Sequence, residues 1–520
     1  MKPSEYKISN EKFKFVQDGD KIHDKELSTK PVGYLKDAFS RFKKNKGSIV
    51  AAIIICMLVL FAIIGPITSP YTVAYNDAYF KLALPKNQLL SDMGVDFWDG
   101  CETEEINKLN FSYNYAIGLE NVYDNGPIKN QEYELVKRLN NKKQEVTYYK
   151  VRLDSYRRIG VIYLSLTNEE YQNLQKYQDD NNIQIIYPIT DIALRPDSQV
   201  DNQNANFWYQ TEQIKGKTNP VLDEKGNYVN IYKKHSGKDG YTSKMRLEEN
   251  GEKLYDYAII DQTGYNVRVD YYEYYCYYHK AVLKDGIEQP SFLFGATAAG
   301  KDIFTCLSGG ARFSFLLAIF VSFINLLVGA IYGAIEGYYG GKIDLVMERF
   351  VEILSAVPFM IVITLLKYHM EGTSPILILI IAFFLTGWIG MAGRTRMQFY
   401  RFKNQEYVLA ARTLGATDRR IMFKHIFPNA LGTLITSCVL VIPSVIFSET
   451  SLTYLGIINL STGNLTSVGT LLAESKSYLV QAPHTVFFPA MFICLLMLSF
   501  NLFGNGLRDA FNPSLRGSEE

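Results

Sequence analysis

The stretch "FSFLLAIFVSFINLLVGAIYGAI", residues 313–335, decides the fold class, because it contains no charged residue. About twenty apolar residues suffice to cross a bilayer as a helix. Five further apolar windows lie at residues 48–67, 351–366, 376–393, 430–447 and 485–503. Any one of them taken alone could be a buried core helix. Five windows crowded into the C-terminal part leave too little polar chain to bury them all, so the pattern predicts six transmembrane helices.

The overall composition hides this pattern. The 520 residues include 54 basic and 53 acidic ones, and this balance gives no reason to expect a nucleic-acid partner. The mean hydropathy of -0.05 is typical of a soluble protein. It averages very apolar segments with a polar one of more than two hundred residues, so it does not argue against the membrane.

Lysine and arginine in the short flanks predict the orientation, because they accumulate on the cytoplasmic side. Basic residues precede the first window, at Lys36, Arg41, Lys43, Lys44 and Lys46. A second group separates the fourth and fifth windows, at Arg394, Arg396, Arg401, Lys403, Arg412, Arg419, Arg420 and Lys424. Six crossings with both termini in the cytoplasm satisfy these flanks. The first helix is expected to remain as an anchor, since no signal-peptidase site follows it.

This topology divides the chain into five parts. They are a cytoplasmic leader (1–47), the first helix (48–67), an extracytoplasmic insert (71–290), a core with helices two to six (291–507) and a cytoplasmic tail (508–520). The expected fold is an all-α polytopic membrane protein with a large extracytoplasmic α+β domain between helices 1 and 2. The multi-pass chain belongs in a plasma membrane, in contact with lipid.

Residues 146–189 of the insert have the pattern of strand, strand, helix, strand. "GVIYLSL" and "IQIIYPI" are rich in β-branched and aromatic residues, and "NEEYQNLQKYQ" begins with the acidic residues that a helix start favours. The later stretch "LYDYAIIDQTGYNVRVDYYEYYCYYHK", residues 254–280, suggests strands around a polar turn. Its tyrosines form either the core of the insert or a docking face.

Catalysis and cofactor binding find no support in the sequence. "FGATAAGKDI", residues 294–303, fits the phosphate-binding pattern G-x-x-x-x-G-K, but Asp302 stands where a hydroxyl is needed for magnesium, and its charge would repel phosphate. The insert has no nucleophile elbow and no zinc-type spacing of His and Cys. We therefore expect no enzyme, no metal and no cofactor. Cys101 and Cys276 are both external and either form a disulfide or remain free thiols.

The most informative polar segment is the loop "NQEYVLAARTLGATDRRIMFKHIFPNA", residues 404–430. Small Ala410 and Ala411 let a helix lie close to a partner, and Gly415 ends that helix. Thr417 or Asp418 is a candidate N-cap for a second short helix, with Pro428 as its stop. The pattern predicts two short cytoplasmic helices at a turn.

With its surroundings, this loop resembles the coupling motif of ABC importer permeases, E-A-A-x-x-x-G followed by an I-x-L-P element. The similarity is to the C-type permease subunit of the oligopeptide and dipeptide branch, which has a type I importer fold. It extends in order over "RFKKNKGSIVAAIII", "FGATAAGKDIFTCLSGGARFSF", "GYYGGKIDLVMERFVEILSAVPFM", "SETSLTYLG" and "FNLFGNGLRDAFNP". Together these cover about residues 35–70 and 290–513.

The resemblance implies a subunit that forms half of a pathway for peptides. Its partners would be a second homologous permease, two ATP-binding subunits and an extracytoplasmic peptide-binding protein, in a prokaryotic membrane. The coupling residues carried over are Glu406, Ala410, Ala411, Arg412, Gly415, Asp418 and Pro428. One departure affects the assignment: Leu409 replaces the acid of the motif, so either Glu406 or Arg412 supplies the polar anchor. Pro358 and Pro443 are expected to bend spanning helices.

Glu449, near the outer end of the fifth helix, is a candidate pathway or outer-gate residue, because ionisable groups at membrane depth are often functional. A snorkelled or interfacial position is the alternative. Two other functions stay open. The first alternative is a permease for another small solute, such as nickel or a glycoside. The second is a surface receptor whose helices serve as an anchor.

Overall fold

The computed structural model describes residues 34–120, 126–139, 145–194, 204–214, 216–237, 254–262, 264–461 and 465–511. Most of the predicted leader (1–33) and of the predicted tail (512–520) lies outside these residues.

Two helices precede the insert, α1 (Tyr34–Lys44) and α2 (Lys46–Thr68). The insert mixes helices and strands: α3 (Gln88–Asp92), β1 (Cys101–Ile106), α4 (Lys108–Glu120), β2 (Ile128–Leu139), β3 (Glu145–Asp154), β4 (Val161–Leu166), α5 (Asn168–Asn181), β5 (Ile186–Tyr187), β6 (Thr211–Ile214), β7 (Lys217–Pro220), β8 (Ala258–Ile260), β9 (Tyr265–Asp270) and α6 (Tyr271–Tyr277). The remaining described chain is helical: α7 (Ile303–Tyr339), α8 (Gly341–Ser355), α9 (Phe359–His369), α10 (Pro375–Thr386), α11 (Ile389–Phe402), α12 (Glu406–Thr413), α13 (Asp418–Arg420), α14 (Phe427–Tyr454), α15 (Val468–Ser475) and α16 (His484–Phe511).

Five helical segments of the described chain are long and apolar enough to cross a membrane. They are α2, α7, α10 with α11, α13 with α14, and α16. The predicted third span falls on α8 and α9, and the chain bends by 72° between these two helices. The predicted bend at Pro358 is thus confirmed. Proline favours such a bend because it has no N–H group to donate within the helix and because it disfavours a helical conformation of the residue before it. The count is six spans if this bent pair is one crossing, and five otherwise.

Helix α7 is the centre of the bundle and packs directly on α2, α11 and α14. Its contact with α11 is close because Gly329, Gly333 and Gly337 fall on one face. A Cβ atom built on Gly337 would lie 2.7 Å from the carbonyl oxygen of Arg396. Glycines at this spacing let two membrane helices approach backbone to backbone.

The insert contains antiparallel sheets. Strands pair in the order β1-β3-β2 in one sheet and β4-β9-β5 in another, with β8 also on β9, and β6 pairs with β7. The predicted order of strand, strand, helix and strand over residues 146–189 is confirmed as β3, β4, α5 and β5. Thr167 and Glu170 form a reciprocal capping box at the start of α5.

The tyrosine-rich stretch follows the expected pattern only in its first half. Strands β8 and β9 flank a turn, but Tyr271–Tyr277 is a helix and not a strand. Asp270 caps it, accepting a hydrogen bond from the amide of Glu273 at 3.0 Å. Most rings of this helix are buried, and Tyr275 contacts Tyr75, next to the first span. These buried rings therefore form core, as the first of the two alternatives stated.

A buried ion pair holds two parts of the insert together. The guanidinium of Arg268, on β9, makes a two-pronged contact with Glu120 at the end of α4, with nitrogen to oxygen distances of 2.9 and 3.0 Å. Both side chains are almost fully buried. The two cysteines considered for a disulfide, Cys101 and Cys276, are both free thiols.

The base of the insert is attached to the helices. The amide of Asp77 donates to the carbonyl of Gly300 at 3.0 Å, and Gly300 has a φ of +73° with no room for a Cβ atom. The ring of Phe294 stacks on Phe488 of α16 at 4.2 Å between centroids. The start of α7 is therefore fixed by contacts from both the insert and the bundle.

Candidate functional site

The candidate site is α12, a helix of eight residues at the end of the bundle where α11 finishes and α13 begins. Gln405 is its N-cap and Leu414 its C-cap, and Gly415 follows with a φ of +80°. A left-handed residue ends a helix, and glycine takes that conformation without strain. The predicted helix and its glycine stop are both present.

One apolar side chain attaches α12 to its own subunit. Val408 is fully buried in a small cluster with Phe399 of α11, Tyr338 of α7 and Ile421 and Ile426 of the next helix. This cluster, called the anchor cluster below, joins α12 to three spanning segments. Displacing α12 would therefore expose apolar surface unless those segments moved with it.

A polar contact lies beside the anchor cluster. The hydroxyl of Tyr338 donates to Asp418 Oδ1 at 2.6 Å and accepts from Arg412 at 3.4 Å. Arg412 and Asp418 were predicted from the sequence, and Tyr338 was not, because it lies 74 residues before Arg412. Arg412, one of the two candidates for the polar anchor, makes this contact within the chain, and the choice between the two candidates stays a prediction. Glu406 is exposed in the first turn of α12.

The rest of α12 is open to a partner. Ala410 is exposed and Ala411 half-buried, as a closely approached surface requires. Leu414 is 88% exposed, and Leu409 is 46% exposed. These two leucines make the exposed surface of α12 partly apolar.

The predicted second short helix was wrong in its extent. Thr417 is the N-cap and Asp418 the first residue, but the helix continues through a π-helical segment, Ile421–Ile426, into α14. Pro428 does not stop it. It lies within the first two positions of α14, where the missing N–H costs little because the wider π turn has already changed the hydrogen-bond register.

A charged cluster around Arg396 of α11, about one helix turn before Phe399 of the anchor cluster, was also missed. Arg396 of α11 contacts Asp344 of α8 at 2.6 Å, Glu336 of α7 at 3.4 Å and Glu348 at 3.5 Å. Tyr400 also donates to Asp344. One guanidinium thus links α7, α8 and α11 next to the anchor cluster.

Glu449 lies at the opposite end of α14 and is completely buried. Ser314 of α7 donates to its Oε2 atom at 2.8 Å. Ser467, in the loop before α15, packs against Gly310 of α7, one helix turn before Ser314. Glu449 thus lies between helices of this chain and does not extend outwards as a snorkelled side chain would, and its role as a pathway or outer-gate residue stays a prediction.

The phosphate-binding pattern of residues 294–303 has a structural role. Asp302 caps α7, accepting from the amides of Phe304 and Thr305. Burial raises the pKa of Asp302 to about 6. The amide of Gly300 donates to the carbonyl of Thr297 at 2.9 Å, so it is not free to bind a phosphate oxygen. Among the described residues, no group of three or more His, Cys, Asp or Glu could hold a metal ion.

Comparison with known proteins gives consistent matches over the helical part. A family model described as "Binding-protein-dependent transport system inner membrane component" matches residues 325–517. A second, described as "N-terminal TM domain of oligopeptide transport permease C", matches residues 33–85. Neither of these two models extends over residues 86–324, which include the insert.

Individual relatives agree with the family models. The chain is 43% identical to the oligopeptide transport system permease protein OppC of Bacillus subtilis over 223 residues, which are 43% of this chain and 72% of that protein. It is 39% identical to the dipeptide transport system permease protein DppC of Bacillus subtilis, over 43% of this chain and 69% of that protein. OppC of Haemophilus influenzae is 41% identical, over 43% and 70%.

Proposed function

Because the chain belongs to the family of binding-protein-dependent transport system inner membrane components, with a type I ABC importer permease fold, we propose that it is a permease subunit of an ATP-driven importer of oligopeptides or dipeptides. The relatives named above are oligopeptide and dipeptide permeases, which favours peptide over nickel or a glycoside as substrate. The chain is a multi-pass protein of the cell membrane.

The observation that carries the proposal is the anchored yet exposed helix α12. Val408 and Tyr338 hold it to α7, α11 and the helix that continues into α14. Leu414 projects from its end. We infer that an ATP-binding subunit receives this end in a cleft, so that closure of two such subunits moves α12 as a rigid body.

The motion would reach the pathway through the same contacts. Helices α7, α11 and α14 share the anchor cluster, and Arg396 ties α7 and α11 to α8. Alternating access then follows as a shift between two packings of these helices. The bend at Pro358, between α8 and α9, would let these two helices change their packing.

Orientation and partners complete the proposal. The basic flanks put α12 and both chain ends in the cytoplasm and the insert outside. A second homologous permease encloses the pathway, and two ATP-binding subunits dock at α12 and its counterpart. We propose that the insert docks the extracytoplasmic peptide-binding protein. The exposed side chains Tyr133, Leu135 and Leu139 of β2 offer an apolar edge for that contact.

The first experiment is gentle purification of the tagged chain from native membranes, followed by mass spectrometry of the proteins that remain bound. We expect a second permease and two ATP-binding subunits. Gly415→Pro and Ala411→Glu should abolish this association and peptide uptake, because proline would distort the end of α12 and glutamate would obstruct its surface. Recovery of the chain alone, or normal uptake by both variants, would refute the coupling assignment.

The docking role of the insert needs a separate test. Replacing Tyr133, Leu135 and Leu139 by Ser should weaken co-purification of the peptide-binding protein while the ATP-binding subunits stay bound. Ile259→Ser and Ile260→Ser, two exposed positions in a different sheet, are the control. Equal effects of the two sets of changes would argue against docking at β2.

A further inference from the structure

A cavity of about 240 Å³ lies between α11, α14 and α16, at the same end of the bundle as α12. Its polar lining includes Arg394, Gln398, Arg401, Thr436, Ser437 and Arg508. Three guanidinium groups therefore converge on one concave space from two different helices.

These arginines are not neutralised by the described part of the chain. Arg394, Arg401 and Arg508 form no ion pair with a described carboxylate, whereas Arg396, two residues from Arg394, contacts three acids. Arg401 and Arg508 lie in the last turns of α11 and α16, where a cation is favoured by the helix dipole. Arg394 lies in the middle of α11, so the dipole does not account for all three.

A second observation points to a ligand. The Oε1 atom of Gln398 is buried without a hydrogen-bond partner among the described residues, and because this oxygen accepts hydrogen bonds, a ligand would pair with it through a donor such as a head-group hydroxyl. A buried polar atom left unpaired is destabilising, and such atoms are usually paired by a bound molecule or by water. The other side of the cavity is apolar, with Leu440 and Phe511 in its wall.

We propose that this cavity binds the phosphate group of an anionic membrane lipid. Arginine matches phosphate oxygens with paired N–H groups, and basic pockets between spanning helices on the cytoplasmic side bind phosphate head groups. Leu440 and Phe511 would contact the glycerol and the first acyl carbons. The inference rests on the proposed orientation. Free inorganic phosphate has the same chemistry, so the experiment must separate the two sources.

The test uses the full chain with its partners, purified in a neutral detergent. Native mass spectrometry counts bound lipid, and the melting temperature is followed as dioleoylphosphatidylglycerol, dioleoylphosphatidylcholine or inorganic phosphate is added. We expect saturable stabilisation by phosphatidylglycerol and retention of that lipid. The double variant Arg394→Gln/Arg508→Gln should bind it at least tenfold more weakly, because two charge-assisted contacts are lost.

Lys342→Gln/Arg349→Gln is the matched control. It removes two exposed cations of α8, at the same end of the bundle, and should bind phosphatidylglycerol as the unmodified protein does. Arg508→Lys keeps the charge but loses the paired N–H groups, so its affinity for phosphatidylglycerol should lie between those of the unmodified protein and of Arg508→Gln, which a loss of the fold would not produce.

The outcomes are distinct. Saturation by inorganic phosphate as tight as by phosphatidylglycerol would support the site with a soluble ligand as its source. Equal retention of phosphatidylcholine, equal weakening by the two double variants, or stabilisation by a peptide alone would overturn the proposal. The binding assay needs neither ATP nor transport, so its failure differs from a failure to recover the partner subunits.

Discussion

The anchoring of α12 can be tested by shortening one side chain. Val408→Ala removes two buried methyl groups from the anchor cluster. At about 0.8 kcal/mol for each buried carbon, plus a cavity contribution, the cost is about 2–3 kcal/mol. The better helix propensity of alanine returns about 0.5 kcal/mol. A net loss of about 2 kcal/mol corresponds to roughly a 30-fold increase in the population of molecules in which α12 is detached from the anchor cluster.

Hydrogen exchange of the backbone amides of α12, measured on the purified protein, reports that increase directly. Leu414→Ala is the matched control, because its side chain is 88% exposed and its loss should leave exchange within about twofold. The same control should weaken binding of the ATP-binding subunits about tenfold if Leu414 enters their cleft. If Val408→Ala leaves exchange unchanged, or if both variants change it equally, the proposal that α12 moves as a rigid body with the helices of the anchor cluster is wrong.

Three further perturbations test the packing and the charges of the fold. Gly333→Leu should prevent recovery of monodisperse protein in size-exclusion chromatography, since its Cβ atom would overlap the backbone of α11, whereas Gly390→Leu has open space and should be tolerated. Glu120→Gln should destabilise the insert by about 3 kcal/mol in thermal unfolding, because it leaves the buried charge of Arg268 unpaired. Burial raises the pKa of Asp99, but hydrogen bonds from an arginine and a lysine lower it by more, to about 2. Its stabilising contribution should thus be complete above pH 4 and lost as the pH falls towards about 2, and the melting temperature of Asp99→Asn should lack this step.

The sequence predicted the parts of the site that depend on local chemistry. Gly415 marks the end of α12 because the left-handed conformation is a property of a single residue. The failure at Pro428 has a similarly local cause: proline was expected to stop a helix, but it is tolerated within the first turn after a π-helical segment. Propensity alone does not reveal such a change of hydrogen-bond register.

Tyr338, Val408 and Arg396 could not be assigned from the sequence, because each acts through contacts with distant segments. Val408 is one apolar residue among several in its loop, and only the packing against Phe399 and Ile421 distinguishes it from exposed Leu409. Over residues 146–189 of the insert, the order of strands and helix follows from composition. The helix after Asp270 was missed because its tyrosines also favour strands, and burial against the segment after α2 decides the outcome.

Helix α7 connects the two surfaces proposed to meet partners. It has 37 residues and is about 55 Å long, well beyond the roughly 30 Å of a bilayer core. Its first residue follows Asp302 and the joint between Gly300 and Asp77 at the base of the insert. Its other end carries Tyr338, which contacts the loop around α12. Because no break interrupts the helix between these points, a displacement at α12 need not be relayed through successive flexible loops. Helix α7, which would move with α12, also supports the insert. Docking of a binding protein outside and closure of ATP-binding subunits inside would therefore both act on α7.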